Sequence, residues 1–150
     1  MTQATRARTN RCRCYGPSMS KAEIDGVAAE FFSAFDNRGG KAADVDRVRR
    51  LVVPGGVLIK AGPEFTVYTV EEFIEPRQQL LAEGRLVNFN EWETAEHTET
   101  VGAIASRFSE YRKSGILDGV PFKGGGTKTM QFVLTPDGWR IAAVSWCDRP

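Results

Sequence analysis

The apolar pattern changes character once along the chain, near Arg85. Before that point apolar side chains recur every three or four residues, the period of a helix face. After it they alternate, the period of a strand. Helical segments first and long strands afterwards is the order of an α+β fold.

The first helix is expected from Ser20, because Ser20-Lys-Ala-Glu23 has the form of a capping box. Ile24, Val27, Ala28, Phe31, Phe32 and Phe35 then make one apolar stripe, and Asn37-Arg38-Gly39-Gly40 stops it. A second short helix is expected over 44–53, ended by Pro54-Gly55-Gly56. Short strands follow at Val57-Leu58-Ile59 and 65–68, with Gly62-Pro63 between them. Thr69-Val-Glu-Glu72 is a second capping box; its helix contains Pro76 and closes at Gly84.

Strands are expected over 86–100 and 101–113 around a tight turn at Gly102-Ala103. That register opposes Val101 with Ile104, Thr98 with Arg107, His97 with Phe108, Glu96 with Ser109, Thr94 with Tyr111 and Glu93 with Arg112. Residues 114–126, with Gly124-Gly125-Gly126, read as a glycine-rich loop, a lid over a binding site. A last hairpin pairs 127–134 with 139–146 around Pro136-Asp137-Gly138.

The chain is one domain long, at 150 residues with a net charge of +1. The near-neutral total hides an asymmetry: of the 20 basic residues, Arg6, Arg8, Arg11 and Arg13 fall in a first stretch without acids, leaving 16 against 19 acidic groups. Residues 1–19 are read as a disordered basic tail and 20–150 as the domain, with Met19 as a possible natural start. Neither nucleic acid nor membrane is expected as a partner: the domain carries no basic excess and no long apolar run. No secretory signal pattern is present, and Cys12, Cys14 and Cys147 are an odd set for a disulfide framework, so a cytoplasmic setting is expected. The lone histidine, His97, does not complete a metal site with Cys12 and Cys14, and the glycine triplet lacks the Lys-Ser/Thr of a phosphate loop. No metal and no cofactor are expected.

The Phe-rich first helix, the Thr69-Val-Glu-Glu-Phe73 helix after two short strands, and the Asp137-Gly-Trp-Arg-Ile141 hairpin resemble the nuclear transport factor 2-like superfamily, in its SnoaL-like branch. The resemblance spans about 20–148. It implies a cone-shaped, strongly curled, mostly antiparallel sheet wrapped by three helices around a cavity, and a homodimer formed through the sheet. It also implies a hydrophobic small molecule in that cavity, cyclic or polyketide-like, undergoing isomerisation, dehydration or cyclisation. The steroid isomerases of the superfamily carry a general-base Asp after the first short strand; here Lys60 stands in that stretch. The epoxide hydrolases use an Asp-Arg-Asp arrangement; here Ser109 stands where an Arg-x-Asp would be completed after Arg107.

Four residues are therefore candidates for chemistry. Arg107 would polarise a carbonyl or hydroxyl, Tyr111 would donate a hydrogen bond, and Glu96 or His97 would move the proton. Phe31, Phe35 and Trp92 would wall the cavity, with Ser109, Gln131 and Ser145 as its polar contacts. In the last hairpin the mixed face of Gln131 and Ser145 is expected to line the cavity. The apolar face of Met130, Phe132, Leu134, Val144 and Trp146 would then be the subunit interface. The alternative reading is a non-catalytic ligand-binding or dimerisation module, favoured by the missing carboxylate after the first strand.

Overall fold

The computed structural model describes residues 17–150; the basic tail and the Cys12/Cys14 pair lie outside, apart from the three residues that open the first helix. In chain order the elements are α1 (Pro17–Ser33), a 3-10 turn (Arg38–Gly40), α2 (Asp46–Leu51), β1 (Val52–Lys60), β2 (Thr66–Tyr68) and α3 (Val70–Ala82). Four long strands complete the chain: β3 (Leu86–Val101), β4 (Ile104–Leu117), β5 (Val120–Thr135) and β6 (Gly138–Asp148). They form one mixed sheet in the order β2-β1-β6-β5-β4-β3, with β1 and β6 parallel and the other pairings antiparallel. This is the expected α+β class. None of the described helices is long and apolar enough to cross a membrane.

The helix α1 begins at Pro17 rather than at a Ser20 cap, so Ser20 lies a turn inside it and is buried. Proline suits a first helical turn, where its missing N–H would have had no partner. The stripe holds: Ile24, Ala28, Phe31, Phe32 and Phe35 are all buried. Full burial of an Ile or Phe side chain of this stripe is worth about 1.5–3 kcal/mol. Asn37 does more than stop the helix. Its Nδ2 donates to the Leu86 carbonyl at 2.8 Å and its Oδ1 accepts from the Phe89 N–H at 2.7 Å, which ties the end of α1 to the start of β3. The Thr69 capping box is present, with both reciprocal bonds made.

Two expectations about glycine-rich stretches are corrected. Pro54-Gly55-Gly56 does not terminate α2; it lies inside β1, where the pairing with β6 shifts register between Val52 and Val57. Gly124-Gly125-Gly126 is not a loop or lid but the middle of a strand, paired with Lys113, Arg112 and Tyr111 across β4. The turn falls instead at Asp118-Gly119. Within the strand, glycine is required at Gly126 by close approach. A Cβ on Gly126 would stand 2.1 Å from the Cys147 carbonyl and 2.9 Å from the Tyr111 hydroxyl.

The β3–β4 hairpin turns at Gly102 and keeps the expected register from Val101/Ile104 back through Glu96/Ser109 to Ala95/Glu110. It then departs. Ala95 opposes Glu110 and Glu93 opposes Tyr111, so Thr94 is an extra residue, a bulge in β3. Because side chains alternate, one inserted residue exchanges the faces of the residues upstream, as far as the second register shift between Val87 and Asn90. Glu93 and Glu91 thus share the inner face with Tyr111 and Lys113, while Trp92 joins Arg112 on the outer face.

The last hairpin also inverts the expectation. Met130, Phe132 and Val144 are essentially inaccessible and Trp146 nearly so; they pack under the helices and form the core, not a subunit interface. Gln131 is exposed on the outer face, accepting a bond from Ser106, and Ser145 shares that face. A register shift at Ala142 lets Ile141 and Trp139 join the core as well. The helices bring large apolar side chains, and only the apolar face of β5 and β6 can receive them without stranding polar groups.

Replacing Gly126 by Ala should lower the stability by about 3 kcal/mol through overpacking against backbone, whereas Gly124→Ala, facing only the flexible Lys113 stem, should cost less than about 1 kcal/mol. Urea unfolding of the two variants checks this; equal midpoints would contradict the strand placement.

Candidate functional site

The inner face of β4 carries Arg107, Ser109, Tyr111 and Lys113 in a row, as strand alternation requires. Two separate polar sites are built along this row.

The first surrounds Arg107, whose side chain is only 3% exposed. Its Nε and Nη2 bond both oxygens of Glu93 at 3.0 and 2.6 Å, a bidentate pair. Nη1 reaches Asp25 on α1 at 2.7 Å, Thr98 at 2.8 Å and Glu96 at 3.1 Å. Ser109 donates to Glu93 at 2.5 Å, and Lys21 bridges Asp25 and Glu96. Burial alone would lower the Arg107 pKa, but the bonds from Glu93 and Asp25 outweigh it and raise it further. Glu96 is held below its usual range by bonds from Lys21 and Thr98 and by the Arg107 charge. Every group is satisfied by another, and the network fastens α1 to the sheet. Arg107 is not among the residues lining the second site.

The second site is a cavity of about 440 Å³ under α1 and α3. Its walls are Phe31 from α1, Phe35 from the turn after it, Phe73 and Leu80 from α3, and Phe89, Phe122 and Trp146 from the sheet. Its polar groups are Tyr111, Lys113, Glu91, Lys128 and Arg77. Lys128 is buried, its ammonium pairs with Glu91, and Nζ stands 4.2 Å from the Tyr111 ring centroid and 4.8 Å from that of Phe32. Burial pushes its pKa down against the opposing pull of Glu91. The Tyr111 hydroxyl donates to Asp148 at 2.5 Å, and burial, reinforced by that carboxylate, pushes its pKa well up. Burial would raise the Asp148 pKa, but the bonds from Tyr111 and Lys113 win and hold it low.

Of the sequence-based candidates, the fold brings Phe31, Phe35 and Tyr111 to the cavity. Ser109 is buried behind Tyr111, engaged with Glu93. Arg107 and Glu96 belong to the α1 network. His97 stands outside, 74% exposed on the outer face, where it meets Glu99 at 3.0 Å. Trp92 lines a different recess with Arg112 and Arg149, a consequence of the Thr94 bulge. Gln131 and Ser145 face outward as well. Sequence reasoning missed Glu91, Lys128, Asp148 and Arg77. A usable signal existed for two of them: Lys128 shares parity with Met130 and Phe132, so a buried lysine was implied once that face turned inward, and a buried lysine needs a carboxylate. Among the described residues no cluster of His, Cys, Asp or Glu could hold a metal ion.

No family model and no curated protein matches the chain. Solved structures do match in fold. A nuclear transport factor 2-like superfamily protein from Salmonella enterica serovar Typhimurium aligns with a TM-score of 0.72 at 17% identity, covering 87% of this chain and 92% of that one. LinA aligns at 0.72 and 14% identity, covering 89% and 88%. A nuclear transport factor 2-like protein with a cystatin-like fold from Novosphingobium aromaticivorans aligns at 0.67 and 16%, covering 87% and 82%. The chain thus has the nuclear transport factor 2-like fold. At these identities the likeness concerns architecture, and the chemistry must be argued from the cavity.

Substituting Arg107 by Ala should cost about 2–3 kcal/mol, since it strands Glu93 while the more exposed Asp25 and Glu96 relax into water. The same variant should bind a neutral apolar dye, N-phenyl-1-naphthylamine, as tightly as the parent. Thermal unfolding and dye titration test the two halves separately, and a lost dye site in a folded variant would return Arg107 to the cavity.

Proposed function

We propose that the protein binds a hydrophobic, ring-bearing small molecule in the cavity and moves a proton on it, in an isomerisation, dehydration or cyclisation. The observation that carries this reading is the buried Lys128–Glu91 pair opening on a cavity walled by aromatic rings. A cavity of this size, largely apolar with a few convergent polar groups, suits a ligand of two or three rings.

The roles follow from the chemistry of the groups. In a dry site an ammonium and a carboxylate that share a proton can exchange it at little cost, so the pair can take a proton from one substrate atom and return it to another. Glu91 is the base in this scheme and Lys128 the acid, with the depressed lysine pKa easing release. The Lys128 charge would also stabilise an enolate or alkoxide as it forms. Tyr111, anchored through Asp148, holds the cavity wall and the aromatic face on which Lys128 rests. These roles replace those expected for Glu96 and His97.

One observation favours a binding module without turnover. Tyr111 spends its only proton on Asp148, and Lys128 is already paired with Glu91. The two readings separate on one measurement. Incubated in D2O with 2-tetralone, the protein should accelerate exchange of the α-hydrogens above the buffer rate, and Lys128→Met should remove at least about nine-tenths of that acceleration while keeping the fold. Dye binding without any accelerated exchange, across a panel of cyclic ketones, would leave the binding module.

A further inference from the structure

Three positive side chains line the cavity, and two are spoken for. Lys128 pairs with Glu91, and Lys113 bonds Asp148 at 3.0 Å. Arg77 differs. Its Nη1 donates to the Phe73 carbonyl one helical turn back at 2.8 Å, and its guanidinium lies over the Phe73 ring with Cζ 3.8 Å from the centroid. Among the described residues no carboxylate comes within salt-bridge distance, and the edge bearing Nε and Nη2 has no hydrogen-bond partner. Among the described residues seven of the other nine arginines are matched to acids, among them Arg38 to Asp36, Arg49 to Glu71, Arg85 to Asp118 and Arg107 to Glu93; Arg112 and Arg140 are not, and neither lines this cavity. An arginine set into an apolar wall without a counter-ion is held at a cost, because burial disfavours its charge.

We infer that Arg77 is the anchor for a ligand carboxylate, so that the cavity takes an aromatic or alicyclic acid bearing one negative charge. The inference rests on the cavity being a binding site, as proposed above, and adds the class of ligand. Planarity and a free two-donor edge match a carboxylate, which such an edge grips with two parallel bonds. The cavity charges set the valence. Arg77, Lys113 and Lys128 against Glu91 and Asp148 leave one positive charge uncompensated, and a dianion such as a phosphate monoester would meet the two resident carboxylates. The surrounding rings of Phe73, Phe89, Phe122 and Trp146 supply stacking surface for the apolar part. The guanidinium, fixed by Phe73 from below, is presented with little left to order on binding.

The test uses fluorescence of N-phenyl-1-naphthylamine to report on the cavity and two isosteric competitors, 2-naphthoate and 2-naphthamide. On the parent protein naphthoate should displace the dye at a concentration about tenfold or more below naphthamide, the ratio expected for a charge-assisted bond. Arg77→Met should abolish that preference by weakening naphthoate alone, with dye and naphthamide affinities unchanged, and Arg77→Lys should restore part of it. Equal competition by acid and amide on the parent, or a naphthoate affinity unaltered in Arg77→Met, overturns the carboxylate assignment while the binding cavity stands. Failure of the dye to bind the parent protein overturns the cavity reading, and this inference falls with it. Dye binding to Arg77→Met separates a lost anchor from a lost fold.

Discussion

A single extra residue in β3, Thr94, decides what the interior of this protein contains. With regular pairing, Trp92 and Thr94 would lie inward and Glu91 and Glu93 outward. The bulge exchanges them. Two cations on the neighbouring strands, Arg107 on β4 and Lys128 on β5, face inward regardless, because they sit in register with buried apolar neighbours. If the glutamates pointed to solvent, Lys128 would be a buried charge without a partner, a cost of several kcal/mol, and Arg107 would keep only Asp25, Glu96 and Thr98. The bulge gives Arg107 both oxygens of Glu93 and gives Lys128 Glu91. It also leaves Trp92 on the outer face, where a tryptophan is tolerated.

The same row of side chains divides into an end closed by ion pairs and an end that opens on the cavity. Around Arg107 the carboxylates outnumber the cations, each nitrogen of the guanidinium is bonded, and α1 covers the result through Asp25 and Lys21. Around Tyr111 the aromatic residues of α1 and α3 hold the helices away from the sheet, and the space between them is the cavity. What differs is what the covering helix brings. Short or polar side chains close the gap over Arg107; rigid rings, which contact one another edge to face at Phe35, Phe73 and Trp146, prop it open.

Much of the architecture was legible before any coordinates. The aromatic stripe of α1, the Thr69 capping box, the Gly102 turn and the Pro136-Asp137-Gly138 turn are local signals, each decided by a few adjacent residues. Register near a turn was legible for the same reason: pairing from Val101/Ile104 to Glu96/Ser109 follows from where the turn sits. The glycine triplet misled because composition alone cannot separate a flexible loop from a strand whose neighbours leave no room for a Cβ.

The candidate site divides along the same line. The sequence by itself determined that Phe31 shares a buried helix face with Ile24 and Ala28 and that Arg107, Ser109 and Tyr111 share a strand face, since both follow from fixed periods of local backbone geometry. Only the tertiary structure decided which face of β5 and β6 turns inward, which glutamates accompany it, and that His97 and Trp92 stay outside. Those choices are parities. A bulge at Thr94 or a register shift at Ala142 reverses them without altering local propensity, and the outcome is settled by burial of the helices' apolar faces and by the need of buried cations for carboxylates, interactions between residues far apart in the chain.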